Sequence, residues 1–213
     1  MISEAVYLHY LGALLQGDKR QCLKIVETLL EQQVCLKDIY LNLFQRSMYR
    51  IGKMWENNNC SIAAEHMASK ITESLVDITI ANIYCKERLD NYAVITCVDK
   101  EFHEIGARMV AGFFETHGWN TIFLGSNTPP EELIDILKKQ RPDILGISIN
   151  FYMNIPRLIN LLERIKAVVP NQKIIIGGQA LAGGVCDCIK KYENVEYLSS
   201  LDELEKYILE LQL

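Results

Sequence analysis

The residue whose surroundings best suit metal chemistry is His103, in the segment "VDKEFHEIGARMV", directly after the apolar run Ala93 to Cys97. Glu101 lies two residues before it. A carboxylate that accepts the proton of one imidazole nitrogen leaves the other to bind a metal. One histidine cannot form a conventional zinc or iron site alone, but it can supply one axial ligand to a metal held by a macrocycle. The competing interpretation is an ordinary residue near a helix start, satisfied by a neighbouring carboxylate or by water.

A second group of unusual residues occurs in "MWENNNCSIAAEHMAS", residues 54 to 69. Trp55 precedes a turn, and Glu65 and His66 follow it among alanine and serine residues. These small side chains leave a thin helix and room for a bulky group. The competing interpretation is that Trp55 anchors a core and that Glu65 benefits from the positive end of a helix dipole.

The remaining motifs give weaker signals. "GGQALAGG", which begins with Gly177 and Gly178, lacks the GK[ST] ending of a phosphate-binding loop and the spacing of a dinucleotide fingerprint. The chain has seven cysteines, an odd number without CxxC spacing, which suits a reducing compartment. Cys186 and Cys188 stand two apart in a predicted helix, where their side chains point to different faces, so we do not predict a metal site there.

The first part of the chain, through residue 86, has the apolar spacing of helices. The spacing predicts four helices, with breaks at "QGDKR", "QQVCLKD" and "ENNNCS". Short connections between helices favour an antiparallel bundle. "CKERLDN" is the expected linker, and we place the domains at residues 1–88 and 89–213.

From Asn91 onwards, short apolar runs alternate with helical stretches, which predicts an α/β domain with a parallel sheet covered on both faces. The predicted strands are residues 92–98, 121–124, 144–149, 173–176 and 195–197, and the predicted helices are about 103–117, 130–140, 155–168, 181–191 and 201–211.

The predicted sheet places His103 just beyond the carboxyl end of the first strand. Ligands of open α/β sheets bind outside these strand ends, at the point where the strand order reverses. With the flavodoxin-like order 2-1-3-4-5, that crevice lies between the first and third strands. We therefore expect residues 148–151 to face His103, and Gly177 and Gly178 to let a ligand or loop approach the backbone closely.

Charge and hydropathy exclude two classes of partner. The net charge of −5 and the absence of a basic cluster argue against direct nucleic-acid binding by this chain. No apolar run approaches the roughly 20 residues needed to span a bilayer, and the N-terminus does not have a signal-peptide pattern. We expect a cytoplasmic protein without a membrane partner.

The motifs together resemble the cobalamin (vitamin B12)-binding module of the methionine synthase and MerR-type adenosylcobalamin photoreceptor class. In that class a four-helix bundle precedes a Rossmann-like corrinoid domain, and the resemblance covers nearly the whole chain. Residues 101–106 resemble its D/E-x-H-x-x-G motif, Ser148 stands where the class has S-x-L, and Gly177-Gly178 where it has GG. Asn150 replaces the leucine of S-x-L.

The resemblance implies base-off, His-on cobalamin with His103 as the lower cobalt ligand, supported by Glu101. Gly106 would keep a Cβ from intruding under the corrin, and the displaced nucleotide tail would pass Ser148, Gly177 and Gly178. The bundle would cover the upper face. Trp55, Glu65 and His66 match the W-x9-E-H signature of the light-sensing members. There the Trp packs on the adenosyl group, the Glu meets its polar atoms and the His supports them.

Two functions follow from the resemblance. The first is a non-enzymatic light sensor that holds adenosylcobalamin, changes its domain arrangement or oligomeric state, and regulates a protein partner or gene expression. The family's photoreceptors usually carry a helix-turn-helix domain before the bundle, whereas the first predicted helix here begins almost at Met1. The alternative is a corrinoid protein that carries a methyl group, as methylcobalamin, between methyltransferases. A pocket for another tetrapyrrole is a third possibility.

Overall fold

A computed structural model describes residues 1–83, 88–184 and 187–211, with the side chain of Cys188 excepted. The chain divides into two compact units, Met1–Tyr84 and Cys85–Leu213. The predicted linker and helix 181–191 both fall partly on residues outside these ranges, as does Cys186.

The first unit contains the four predicted helices within its described residues. They are α1 (Glu4–Leu15), α2 (Lys19–Glu31), α3 and α4 (Ile62–Asn82), and α3 consists of three consecutive segments, Leu36–Ile39, Tyr40–Gln45 and Arg46–Glu56. Side chains cap three of these helices because Ser, Asp and similar residues accept the unpaired N–H groups of a first turn. Ser3, Asp18 and Ser61 accept from Val6, Gln21 and Ala64, respectively.

The middle segment of α3, Tyr40–Gln45, is a π-helix, a form that inserts an extra residue into a helical turn. Its Tyr40 and Phe44 are fully buried, and Phe44 lies 6.1 Å from the ring of Tyr10 on α1. The apolar pattern predicted a helix here but not the local change of period.

The second unit has five parallel strands among its described residues, in the predicted order β2-β1-β3-β4-β5. Their bounds are β1 Tyr92–Cys97, β2 Asn120–Gly125, β3 Ile144–Ser148, β4 Ile174–Gly177 and β5 Val195–Tyr197. The register pairs Cys97 with Ser148, and Ser148 with Gly177. The carboxyl ends of the three central strands therefore lie level with one another.

The helices of the second unit are α5 (Ile105–Thr116), α6 (Pro130–Gln140), α7 (Ile155–Val168), α8 (Asp187–Lys190) and α9 (Leu201–Glu210). Two predictions were wrong in detail. The first helix begins at Ile105, so His103 lies in the preceding loop. The predicted helix 181–191 is replaced in its described part by a 3-10 turn, Gln179–Leu181, and the short α8, because Gly184 has a φ of +100° that no helix accommodates.

Apolar residues from both sheet and helices form the core of the second unit, among them Val94, Leu145, Leu161 and Ile176. Within the described residues, none of the helices combines the length and the apolar character required to cross a membrane.

Candidate functional site

Glu101 is the centre of the polar network at the carboxyl end of β1. It lies in the loop between β1 and α5, and its side chain is fully buried. Oε1 accepts from the main-chain N of His103 at 3.1 Å and lies 2.8 Å from its Nδ1, while Oε2 accepts from Asn150 N at 3.0 Å, Phe151 N at 2.9 Å and Asn154 Nδ2 at 3.2 Å. The two oxygens thus join the loop after β1 to the loop after β3.

These hydrogen bonds keep a buried carboxylate ionised. Burial by itself would raise the pKa of Glu101, but the hydrogen bonds from the His103 side chain and from the main chain of Phe151, His103 and Asn150 lower it to about 2. The site therefore holds a fixed negative charge against one nitrogen of His103.

His103 itself is 55% exposed, in contrast to the carboxylate that holds it. Because Nδ1 is held by Glu101, Nε2 is the ring nitrogen suited to a metal bond. The ring also packs against Phe151, with centroids 4.7 Å apart and planes at 77°. Its main-chain oxygen accepts from Asn150 Nδ2 at 2.9 Å.

Cys97 lies nearby, with Sγ 3.7 Å from the His103 carbonyl oxygen. Burial, together with the charges of Glu101 and Glu104, raises the pKa of the Cys97 thiol to about 12. A thiolate is the form of cysteine that binds metals, so this side chain is unsuited to be a ligand.

The glycines of the predicted motifs serve two different purposes. A Cβ on Gly106, in the first turn of α5, would meet nothing within 4 Å, so the space above it is open. A Cβ on Gly178 would lie 2.1 Å from the carbonyl oxygen of Ile149, and this residue has a φ of +112°. Gly178 is therefore required by the neighbouring loop. Gly177 has somewhat more space, because a Cβ added there would lie 3.3 Å from the carbonyl oxygen of Leu198.

Large apolar side chains are exposed close to His103 in the sequence and in the loop after β3. Phe102 is 64% exposed and Phe151 54%, and Tyr152 and Met153 are more exposed still. Ser148, at the end of β3, is half-buried. Exposed apolar side chains grouped together commonly mark a binding surface.

In the first unit, Trp55 ends α3 as one of its last two residues and is 47% exposed. This exposure argues against the interpretation of Trp55 as a core anchor. Glu65, in the first turn of α4, is half-buried and accepts from Ser69 Oγ at 2.8 Å. His66 is 70% exposed and lies 3.7 Å from the Glu65 carboxylate. Glu65 and His66 thus form one group, with Trp55 on the preceding helix.

The sequence analysis expected residues 148–151 to face His103, and Asn150 and Phe151 do contact it. It did not single out Asn154. Asn154 follows Glu101 by 53 residues, and nothing in its local sequence marks it as a partner of that carboxylate. The signal that was available was its position in the turn after β3, next to the point where the strand order reverses.

The described residues contain no group of three or more histidine, cysteine or acidic side chains that could hold a metal ion. A metal at His103 would therefore take its other ligands from outside this set.

Comparisons with known proteins decide the ligand class. Residues 92–192 match the family described as B12 binding domain, and residues 9–79 match a second family of the same description. The chain is a cobalamin (B12)-binding module. The bundle and the sheet domain each correspond to one of the two matched families.

The relatives of this B12-binding module include a regulator. The HTH-type transcriptional repressor CarH of Myxococcus xanthus is 26% identical over 132 residues, which make up 61% of this chain and 43% of that protein. The match thus spans less than half the length of that relative.

Solved structures share the fold of this B12-binding module. The monomethylamine corrinoid protein of Methanosarcina barkeri superposes with a TM-score of 0.83 at 16% identity, covering 99% of this chain and 100% of that one. The methanol:cobalamin methyltransferase complex MtaBC of the same organism gives a TM-score of 0.51 at 14% identity, covering 98% of this chain and 81% of that one. A cobalamin-binding protein of Desulfitobacterium hafniense gives 0.50 at 18%, with coverages of 94% and 96%.

The residues around His103 fit a corrinoid. An imidazole that is held at Nδ1 by a buried carboxylate and is 55% exposed is suited to bind cobalt, and a corrin would supply the other ligands that the described residues do not provide. The open space at Gly106 and the exposed side chains of Phe102 and Tyr152 are compatible with a flat macrocycle.

Proposed function

We propose that this chain is a cobalamin-dependent sensor in which His103 is the lower cobalt ligand and adenosylcobalamin is the form recognised. The observation that carries the ligand assignment is the pair formed by buried Glu101 and exposed His103, whose Oε1 and Nδ1 atoms lie 2.8 Å apart. This pair sets the tautomer of the imidazole and restrains its orientation before any ligand binds.

Each residue of the proposed site has a distinct task. Glu101 fixes the tautomer of the His103 ring and restrains its position, and Gly106 keeps the surface of α5 open. Ser148, Gly177 and Gly178 line the path proposed for the nucleotide tail. Bound adenosylcobalamin would supply a cobalt–carbon bond that light can break.

The choice of adenosylcobalamin rests on the bundle. Trp55 offers an exposed indole, and Glu65, with His66 beside it, offers a carboxylate to polar atoms of an adenosyl group. These contacts exist only while the adenosyl group is present, so they are the differential interaction through which a ligand can bias two states. The similarity to a protein named as a transcriptional repressor supports a regulatory output through a protein partner.

The ligand assignment is tested by loading wild-type protein and His103→Ala with adenosylcobalamin and recording absorption spectra in the dark. We expect a base-off, His-on spectrum that His103→Ala abolishes. His117→Ala is a matched control, because this half-buried histidine contacts Phe113 in α5, away from the Glu101 network. Identical spectra for wild type and His103→Ala would refute the assignment.

The sensor role is tested on the loaded wild-type protein by size-exclusion chromatography before and after green light. We expect both the spectrum and the elution volume to change on illumination. An unchanged spectrum together with an unchanged elution volume would refute a light-sensing role.

A second candidate function is a methyl carrier, favoured by the TM-score of 0.83 with the monomethylamine corrinoid protein. Replacement of Trp55 separates the two candidates. For the sensor, Trp55→Ala weakens adenosylcobalamin binding selectively and leaves methylcobalamin binding almost unchanged. Tyr49→Ala is a matched control, since Tyr49 is also 47% exposed and also belongs to α3. Equal binding of both cobalamins by wild type and Trp55→Ala, with methyl transfer to a partner methyltransferase, would favour the carrier.

A further inference from the structure

Phe151 belongs to none of the motifs discussed above, but it is the last of the residues 148–151 expected to face His103, and its ring contacts the proposed cobalt ligand directly. It follows β3 by three residues, and its ring lies 4.7 Å from the His103 ring at an interplanar angle of 77°. The side chain is 54% exposed, so burial of apolar surface alone does not explain its position. The contact with the His103 ring explains the position of the Phe151 side chain.

The main chain of Phe151 is fixed by the same carboxylate that holds the histidine. Its N–H donates to Glu101 Oε2 at 2.9 Å, while Oε1 of that carboxylate lies 2.8 Å from His103 Nδ1. The two rings are therefore positioned by one buried group. A displacement of either ring relative to the other would require one of these hydrogen bonds to lengthen.

The hydrogen bond at Nδ1 leaves one degree of freedom open. The torsion about the Cβ–Cγ bond of histidine has broad minima, and a single hydrogen bond at one ring atom restricts it only in part. A metal–nitrogen bond requires the nitrogen lone pair, which lies in the plane of the ring, to point at the metal. An aromatic ring packed nearly perpendicular to the imidazole limits this rotation from the side.

We infer that Phe151 is a positioning residue that sets the rotation of the His103 ring and so strengthens its bond to cobalt. The inference rests on the proposed role of His103 as the lower ligand. Phe151 acts through the imidazole and not by contact with the corrin, which separates it from the exposed residues around it.

The first arm of the test uses the corrinoid-free protein. The ring current of Phe151 shifts the NMR signals of the His103 ring protons. Phe151→Leu should move those signals towards their ordinary positions, and Phe151→Tyr should retain the shift because it keeps the aromatic ring. Phe102→Leu is the matched control, since Phe102 is adjacent to His103 and exposed but makes no ring contact within the described residues.

The second arm measures the affinity for cobinamide, a corrinoid without the lower nucleotide base, in a double-mutant cycle. Phe151→Leu should weaken binding roughly two- to tenfold, the range expected when one side chain must be ordered on binding, and Phe151→Tyr should restore it. In a His103→Ala background the same substitution should change the affinity by less than about twofold, because the group through which it acts is absent.

The outcomes are distinguishable. If Phe151→Leu weakens cobinamide binding equally in the wild-type and His103→Ala backgrounds, Phe151 contacts the corrin directly. If it weakens binding in neither background, Phe151 has no role. Both results overturn the inference and leave His103 as the ligand. If His103→Ala leaves the affinity for cobinamide unchanged, the proposed ligand role of His103 is refuted, and the inference about Phe151 with it.

Discussion

Replacement of Glu101 by Gln is the substitution for which the structure gives the clearest expected magnitude. The ionised carboxylate accepts from four N–H groups of Asn150, Phe151, Asn154 and His103 and also holds Nδ1 of His103. Gln has one acceptor oxygen and an amide nitrogen that can only donate. Whichever way the amide turns, its nitrogen faces at least one main-chain N–H that the carboxylate accepted, His103 N on one side or Asn150 N and Phe151 N on the other.

The pKa gives the size of the effect. Lowering the pKa of Glu101 from 4.5 to about 2 means that the ionised form stabilises the folded protein by about 3 kcal/mol relative to the protonated form. We expect Glu101→Gln to lower the free energy of unfolding by about 3 kcal/mol at pH 7, since an unsatisfied buried donor by itself costs about 1–3 kcal/mol.

The effect has a defined pH dependence, because the folded-state pKa is depressed. The stabilisation is fully present above pH 4.5 and is lost as the pH falls towards about 2. The difference between wild type and Glu101→Gln should therefore be constant from pH 7 to about 5 and should shrink below that.

Urea unfolding of the corrinoid-free protein measures this difference. The chain has two tryptophans, so a Trp55→Phe background leaves the buried Trp119 as the reporter of the second unit. Exposed Glu193 provides the control, and Glu193→Gln should change stability by less than about 0.5 kcal/mol. A loss below about 1 kcal/mol for Glu101→Gln, or a difference that does not shrink between pH 5 and 3, would refute the reasoning.

Further predictions concern glycines and a buried hydroxyl. Gly178→Ala should lower the free energy of unfolding by about 2 kcal/mol or more, because its Cβ would overlap the carbonyl oxygen of Ile149 at a φ of +112°. Gly106→Ala should keep or raise stability, by up to about 1 kcal/mol, yet weaken cobalamin binding; retained affinity in an equilibrium titration would contradict its proposed task. Ser47→Ala should stabilise the bundle by about 1 kcal/mol in thermal unfolding, because Ser47 Oγ is buried without a hydrogen-bond partner among the described residues; a loss of stability would point to a missed partner.

The sheet could be predicted from sequence because each strand is a short apolar run between polar or turn residues. β5 has the predicted bounds, β1 and β3 differ from prediction by one residue at one end, and β2 and β4 by one residue at each end. The start of α5 at Ile105 could not be predicted from the sequence. Glu101 accepts a hydrogen bond from the main-chain N of His103, and this bond holds His103 in the loop before the helix. A helix-like pattern does not reveal a hydrogen bond that competes with it.

The site was predictable where a motif is local or where the strand order alone brings two loops together, as for residues 148–151, and unpredictable where an individual contact depends on register. Glu101 and His103 are two residues apart, and the sequence indicated both as candidate site residues. Asn154 reaches Glu101 only because Cys97 pairs with Ser148, which brings the loops after β1 and β3 side by side. A register shift of one residue in that pairing would move Asn154 away. Because nearly every residue of β1 and β3 is buried, no alternation of apolar and polar side chains marks their register.

Asn150 shows how a departure from a motif can have its own structural use. The class that the sequence resembles has leucine at this position, whereas Asn150 Nδ2 donates to the carbonyl oxygen of His103 at 2.9 Å and Oδ1 accepts from Gln179 N at 3.3 Å. A leucine could make neither hydrogen bond. The amide therefore joins the loop that carries the proposed ligand to the turn after β4, where Gly178 packs against Ile149. Because three loops at the strand ends depend on one another through these contacts, a substitution at position 150 should affect the orientation of His103 before it affects the fold.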